Sequence, residues 1–325
     1  MSRCQCSNKT GENMPRFAIL DPLTLVGQEL TTEIKRKFPS ADISLFHTTD
    51  DEEHQISEIG GEATLVPPLS QGEALSEYDV VILAADRISP HLKSLEQALE
   101  DDDTIMFIDA SSLAHYRHLT TPALNREAMR SGARLRPAHP SIVVADCVLR
   151  ALADFEPTKL TIAAIEPVSI YGKEAISTLA HQATQRLQGD DVSQKIDKRV
   201  AAFNMTTVSG VELANEASEL FPALEVAATR TLGGCFHGHL TILNLTFGSP
   251  LPIKAAVRAL KNAPDLTLKK TSLNINGVSD REGIFLTQPE TSSGGNILSL
   301  QAMVDGLHIG GAVTVAAMLE GFAAS

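Results

Sequence analysis

The chain has 325 residues, a length that favours two domains over one. Hydrophobic residues make up 43% and charged residues 21%, a balance that excludes disorder, collagen and coiled coil as the main architecture. Lysine and arginine number 27 against 40 acidic residues, which gives a net charge of -13. This charge opposes binding to phosphate backbones and anionic headgroups, so we expect neither nucleic acid nor a membrane as partner.

The first fourteen residues are polar and lack the apolar segment of a secretory signal, so we expect a flexible tail with Met14 as a second candidate start. No apolar run approaches the roughly 18 residues of a membrane span. Four cysteines do not make a disulfide framework. Cys4 and Cys6 have a metal-ligand spacing, but no second pair follows, and we expect no metal there. These features favour a cytoplasmic protein.

Strands alternate with helices in the first half of the chain. Short apolar runs predict buried strands over 17–20, 42–46, 78–83 and 104–109. Apolar residues at helical spacing predict helices over 26–37 and 90–99, with Ser89 as the cap of the second. This alternation predicts a doubly wound parallel sheet, a Rossmann-like fold, over residues 15–138.

The second half of the chain has a different pattern. Helices are predicted over 141–153 and 173–187, and a last amphipathic helix over 310–322. Short strands are predicted over 224–229, 240–245, 273–275, 284–287 and 297–303. Several short strands with helices grouped between them predict an α+β domain with a mixed or antiparallel sheet.

Two of these strands are apolar on both faces. In the strand 240–245, Leu240 and Ile242 lie opposite Leu243 and Leu245, and Met303 lies on the second face of the strand 297–303. Helices of the same chain can cover one face of such a sheet. The other apolar face also needs a cover, and we expect a second copy of the chain to provide it. We therefore predict a homodimer; the alternative is that further helices of the same chain cover both faces.

The loop after the first strand lies where a doubly wound fold binds a pyrophosphate. It runs from Asp21 to Gly27, and Asp21, Thr24 and Gly27 are its candidate cofactor-binding positions. Such a loop needs glycines, and Gly27 is the one glycine it contains. Asp21 adds a negative charge, and Pro22 has no N–H to donate. The loop therefore predicts weak or absent dinucleotide binding.

Six segments are similar, in order and spacing, to the motifs G-x-x-G-x-V-G, I-D-x-S-S, P-E-V-N, A-F-N, G-H and G-A-A-x-x-A-V-x-I-A. They are 21–27, 108–112, 122–125, 202–204, 238–239 and 311–318. On these segments the chain resembles the aspartate-semialdehyde dehydrogenase family. The resemblance implies an NADP-dependent oxidoreductase of amino-acid biosynthesis that acts on an aldehyde. It also implies a Rossmann-like domain at 15–138 that residues 306–325 complete, and a dimerisation and substrate domain at 139–305.

The same resemblance assigns four site positions. The family's nucleophile lies in N-P-N-C-S-T, and the matching stretch, 136–141, has His139 in place of the cysteine. Glu166, before Pro167 at a strand end, falls near the family's glutamine. Arg230 is similar in context to the arginine that binds the substrate carboxylate, and His239 matches the acid-base histidine. The chain therefore resembles the catalytically degenerate bacterial relatives that lack the cysteine.

The family's chemistry needs a thiolate, which attacks a carbonyl and then leaves readily. An imidazole at His139 forms no stable equivalent of the acyl-thioester. Ser141 needs a general base to act as a nucleophile. Cys147 is expected to be a core thiol, and Cys235 lies too far from His239 on an extended chain for direct activation unless the loop between them folds back.

Three functions remain open at this point. The first is a pseudoenzyme that pairs with itself or with an active relative and binds no cofactor, or NADP if any. The second is an active NADP-dependent semialdehyde dehydrogenase with an unusual site. The third is a small-molecule or metal-binding protein that reuses the cleft, with His237 and His239 on one face of a strand and His139 and Glu166 as further ligands. We expect no metal, since such histidine pairs are usually structural. For Arg230 and Glu166, the simpler alternatives to a role in a site are a surface ion-pair residue and a solvated carboxylate.

Overall fold

The computed structural model describes residues 15–49, 53–59, 62–69, 75–86, 104–111, 119–120, 129–279 and 281–323. The predicted helix 90–99 with its cap Ser89, the motif 122–125, and Cys4 and Cys6 lie outside the described residues. Two large sheets and a two-stranded hairpin organise the described chain.

The first sheet is parallel and six-stranded, in the order β2-β1-β5-β6-β8-β7. Its strands are β1 (Arg16–Leu20), β2 (Asp42–Phe46), β5 (Val80–Leu83), β6 (Met106–Asp109), β7 (Leu119–Thr120) and β8 (Arg134–Pro137). Between β2 and β5 the chain forms the antiparallel hairpin of β3 (Gln55–Ile59) and β4 (Glu62–Val66), which the sequence did not predict. The doubly wound parallel sheet is confirmed.

The order of strands reverses beside β1, since β2 lies on one side of it and β5 on the other. Ligands of open α/β sheets bind at the carboxyl ends of the strands at such a reversal. Helix α1 (Leu25–Lys37) begins at that edge, with Thr24 as its N-cap. Leu30 and Ile34 of α1 pack on the sheet together with the last helix of the chain.

The second sheet is mixed, in the order β10-β11-β9-β12-β16-β14-β13 with β15 beside β16. Its strands are β9 (Pro157–Glu166), β10 (Met205–Val208), β11 (Glu225–Gly233), β12 (His239–Phe247), β13 (Leu266–Leu268), β14 (Ile284–Leu286), β15 (Glu290–Thr291) and β16 (Ile297–Val304). Among the described residues, the helices that follow α1 are α2 (Pro140–Ala151), α3 (Lys173–Gln188), α4 (Val211–Leu220), α5 (Ile253–Asn262) and α6 (Val313–Ala323). The predicted mixed sheet is confirmed.

In the second half, one predicted strand is wrong and several elements were not predicted. The strand expected over 273–275 does not form; Asn274 instead caps a single 3₁₀ turn, Ile275–Gly277, by accepting a hydrogen bond from the Gly277 amide. The central strand β9 was not predicted, because the threonine and lysine residues in its first half hide the strand pattern. In the structure, buried and more exposed residues alternate along it. Helices α4 and α5 were also missed.

Helix α6 returns to the first sheet, where Val315, Met318 and Leu319 join the core formed with α1. Lys37 of α1 and Glu320 of α6 form an ion pair at 2.9 Å on the surface. The assignment of residues 306–325 to the first domain and the domain boundaries at 138 and 305 stay a prediction. Among the described residues, no helix is long and apolar enough to span a bilayer.

Candidate functional site

A cleft of about 1200 Å³ lies between the carboxyl edge of the parallel sheet and one end of the mixed sheet. The first sheet lines it with the start of α1 at Thr24, with Asp86 after β5 and with Asp109 at the end of β6. From the second half, the N-terminus of α2, helix α4 and Arg230 face the same space. This cleft is the candidate site.

Three neighbouring strands place their functional side chains at one end of the mixed sheet. Arg230 of β11 pairs with Ala164 of β9, so Glu166, two residues on, is its diagonal neighbour. On the other side of β9, Leu240 of β12 pairs with Ile165, which brings His239 beside Glu166. The register of the sheet therefore assembles three of the four positions that the resemblance assigns.

The fourth position, His139, is the N-cap of helix α2, which begins at Pro140. Nδ1 of His139 accepts a hydrogen bond from the backbone N–H of Ser141 at 3.2 Å. In a neutral imidazole the other nitrogen then carries the proton, so Nε2–H of His139 donates to Oε1 of Glu166 at 3.0 Å. Both ring nitrogens are occupied, and 19% of the side chain is exposed to the cleft.

Glu166 is fully buried and is held by Arg230 through two hydrogen bonds. Nε of Arg230 donates to Oε1 at 2.6 Å, and Nη2 donates to Oε2 at 2.9 Å. Burial alone would raise the pKa of Glu166, but the hydrogen bonds from His139 and Arg230 outweigh burial and lower the pKa to about 2. The alternative of a solvated carboxylate at Glu166 is wrong, since the carboxylate is buried and ionised.

His239 is fully buried behind this group. Its Nε2 lies 3.1 Å from Oγ of Ser141, which in turn lies 2.8 Å from Oγ1 of Thr241, and its Nδ1 has no hydrogen-bond partner. Burial lowers the pKa of His239 to about 3, and the neighbouring His139 acts in the same direction. Ser141 is also fully buried, so neither side chain of this pair is exposed to the cleft.

The side chains of His139, Glu166 and His239 bring potential ligand atoms within 4.8 Å of one another. The hydrogen bonds favour an ion-pair group over a metal centre, because Nε2 of His139 carries a proton and Arg230 already occupies both oxygens of Glu166. His237 does not belong to the group. The expectation that His237 and His239 share a strand face is wrong, because β12 begins at His239 and Gly238 is left-handed, with φ of 85°.

A second carboxylate, which the sequence did not reveal, holds the segment before α2. Glu216 of α4 accepts the backbone N–H of His139 at 2.7 Å and lies 3.1 Å from Nη2 of Arg136. Glu212 and Glu219 follow the same face of α4 and line the cleft as well. The helical spacing of these three glutamates was the available signal.

The loop after β1 is closed by its own hydrogen bonds. Asp21 is left-handed, with φ of 60°, and its carboxylate accepts the backbone N–H of Thr48 at 2.7 Å and the Thr48 hydroxyl at 2.6 Å. Burial raises the pKa of Asp21. The carboxylate therefore faces the end of β2, in a smaller cavity of about 250 Å³, and not the large cleft.

Two further contacts tighten this loop. Oγ1 of Thr24 accepts the Gly27 amide at 3.0 Å and donates to the carbonyl of Ala84 at 2.6 Å. A Cβ at Gly27 would lie 2.4 Å from the carbonyl oxygen of Asp21, so only glycine fits there. The Gly27 amide, which a phosphate would need, is already used within the chain.

Comparison with known proteins gives one sequence relative and many structures of the same fold. The aspartate-semialdehyde dehydrogenase of Synechocystis sp. is 24% identical over an alignment 272 residues long, which covers 78% of this chain and 79% of that protein. The structure of aspartate semialdehyde dehydrogenase II from Vibrio cholerae, complexed with ASA, superposes with a TM-score of 0.83 at 18% identity, over 96% of this chain and 99% of that one. The resemblance to the aspartate-semialdehyde dehydrogenase family is confirmed.

A probable aspartate-semialdehyde dehydrogenase from Pseudomonas aeruginosa shares the fold as well, with a TM-score of 0.82 at 16% identity over 94% of this chain and 98% of that one. No family model matches the chain. The aspartate-semialdehyde dehydrogenase fold is thus retained along nearly the whole chain, although few residues are identical.

Neither described cysteine is among the residues that line the cleft. Cys147 is buried in the core of the second half, and burial raises its pKa to about 12. Cys235 is partly exposed after β11, and burial raises its pKa too. The predicted core position of Cys147 agrees with the structure.

Proposed function

We propose that this aspartate-semialdehyde dehydrogenase-like protein has no dehydrogenase activity. The supporting observation is the hydrogen-bonded group at the position of the family's nucleophile. His139 there uses Nδ1 to cap α2 and Nε2–H to bind Glu166, so it has no free lone pair for attack on a carbonyl. Ser141 is buried, and Cys147 and Cys235 do not line the cleft.

The occupied Arg230 supports the same proposal. The resemblance assigns this arginine to the substrate carboxylate, but Glu166 takes its Nε and Nη2 donors. The remaining Nη1 lies 3.8 Å from Glu212, another carboxylate. A substrate carboxylate would therefore meet a guanidinium whose charge is already balanced.

We expect the purified protein to produce no NADPH from NADP, aspartate semialdehyde and phosphate. The reason is the lack of a cleft-facing thiol among the described residues. Absorbance at 340 nm measures the reaction, and an active member of the family is the positive control. Turnover within a few hundredfold of that control, or an acyl adduct on Ser141 or Cys235 in mass spectrometry, would contradict the proposal.

NADP binding is expected to be millimolar or weaker. Helix α1 directs its N-terminus at the cleft, which favours an anion, but the Gly27 amide is used by Thr24 and Pro22 has no N–H. The acidic face of α4 adds the charges of Glu212 and Glu219 to the same cleft. The loop and the cleft thus do not fit a pyrophosphate. Isothermal titration calorimetry measures the affinity, and a micromolar dissociation constant would overturn this expectation.

The chain is also proposed to be a homodimer. Helices α2, α4 and α5 pack on one face of the mixed sheet in a single core. The opposite face carries Ile165, Leu240, Ile242 and Met303, which are only partly buried. A second copy that covers this face would remove their apolar surface from water. The alternative is that helices of the same chain cover this opposite face. The three helices of the core, α2, α4 and α5, all pack on the first face.

Replacing Ile242 by glutamate is expected to convert the dimer into a monomer, because a charge would then lie in the centre of the covered face. Sedimentation velocity distinguishes the two masses. Leu187→Glu is the matched control, since Leu187 is 79% exposed near the end of α3 and its replacement should leave the dimer intact. A wild-type protein that sediments near 34.8 kDa at micromolar concentration would contradict the proposal.

A further inference from the structure

Three hydrogen-bond donors converge on one carboxylate at the base of the cleft. Nε and Nη2 of Arg230 form a planar fork on Glu166, and Nε2–H of His139 adds a third contact. A fork with a further N–H is the arrangement by which proteins recognise a carboxylate ligand. Here the ligand is a side chain of the same protein.

The donors and the carboxylate differ in exposure. Arg230 and His139 line the cleft, with 17% and 19% of their side chains exposed, whereas Glu166 is fully buried. Glu166 reaches the two donors from β9, beneath the cleft. Truncating it at Cβ would leave a space for an acetate-sized molecule next to donors that already face the cleft.

We propose that Glu166 fills, from within the chain, a carboxylate-binding pocket formed by Arg230 and His139, and thereby closes this cleft to small carboxylates. A dissolved carboxylate competes poorly with one that the fold fixes in place, since an intramolecular ligand has a high effective concentration. Displacement would also leave the Glu166 charge buried without its partners, which is unfavourable. The proposal concerns binding alone and stands whether or not the protein catalyses a reaction.

Glu166→Ala is the direct test. We expect the variant to melt below the wild type, and its melting temperature to rise by roughly 3 °C or more at saturating acetate. The wild type should show no such rise in acetate beyond that in chloride at equal ionic strength. Acetamide, which has the shape of acetate without its charge, should not replace it. An acetate response of equal size in the wild type, or none in the variant, overturns the proposal.

Two further variants separate a specific pocket from a general salt effect. Glu166→Ala combined with Arg230→Met has the space without the guanidinium, and acetate should not stabilise it. Glu33→Ala removes a bidentate partner of Arg36 on α1, but the Arg36 side chain is 52% exposed, so water solvates its guanidinium. Acetate should therefore leave Glu33→Ala unchanged, and an equal rise in either variant would contradict the proposal.

If Glu166→Ala does not fold in plain buffer, its refolding yield with and without acetate becomes the measurement. Recovery that depends on acetate supports the pocket, and equal failure in both buffers overturns it. Neither result depends on NADPH formation, so the test of the proposed lack of activity remains separate.

Discussion

Replacing His139 by cysteine is expected to leave the protein inactive as an aspartate-semialdehyde dehydrogenase. The substitution puts a thiol at the N-cap of α2, where the partial positive charge of a helix N-terminus favours the thiolate. It restores the residue type that the family's chemistry needs. It changes neither Arg230, which stays bound to Glu166, nor the closed loop after β1.

The activity of His139→Cys is expected to stay far below that of an active family member, because two obstacles remain that act on different steps. A substrate carboxylate would find the guanidinium of Arg230 occupied at 2.6 Å and 2.9 Å by Glu166. The new thiolate would also lie beside that carboxylate, since His139 donates to Glu166 from 3.0 Å. Repulsion between the two anions opposes the thiolate.

NADPH formation at 340 nm measures the outcome for His139→Cys, with His139→Ser as the matched variant without a thiol. Alkylation by iodoacetamide followed by mass spectrometry shows whether the new thiol is accessible. We expect accessible thiol and no turnover above the serine variant. Turnover by His139→Cys alone would show that the cysteine was the only missing part, and the argument from Arg230 and the loop would then be wrong.

Local patterns in the sequence were sufficient for much of the fold. The strand β2 and the start of α3 were predicted with the observed bounds, because apolar alternation and helical spacing are local properties. Strand β9 was missed although it lies at the centre of its sheet. Its neighbours β11 and β12 follow more than fifty residues later, and no local pattern in β9 shows which strands will pair with it.

The site shows the same limit. The resemblance assigned His139, Glu166, Arg230 and His239 one by one, but it did not show that Arg230 and Glu166 bind each other. That contact joins residues 64 positions apart and depends on the register between β9 and β11. Glu216 was missed for a similar reason, since its partner Arg136 is 80 positions away. An acid and an arginine in one sequence do not reveal a pair until the strands or helices that carry them are placed.

The stability of the protein is expected to fall between pH 6.5 and pH 5 because of His239. Its pKa is about 3 in the folded chain and near 6.5 in a flexible one, so in this range the unfolded state binds a proton that the folded state does not. Stability therefore decreases as the pH falls, with a slope that reaches about 1.4 kcal/mol for each pH unit about one unit below pH 6.5. Glu166, with a pKa lowered from 4.5 to about 2, adds a loss in the same direction only below pH 4.5.

Urea unfolding at pH 6.5 and pH 5 measures this effect apart from that of Glu166. His239→Gln removes the titrating group, so its loss of stability over this range should be smaller than that of the wild type by about 1.6 kcal/mol. His181→Gln is the matched control, because it makes the same substitution at an exposed position on α3. The comparison uses the difference between two pH values within each variant, so a lower overall stability of His239→Gln does not affect it. An identical pH dependence in His239→Gln and the wild type would mean that His239 takes up its proton in the folded protein, and Nδ1, which has no partner in the structure, would then have found one.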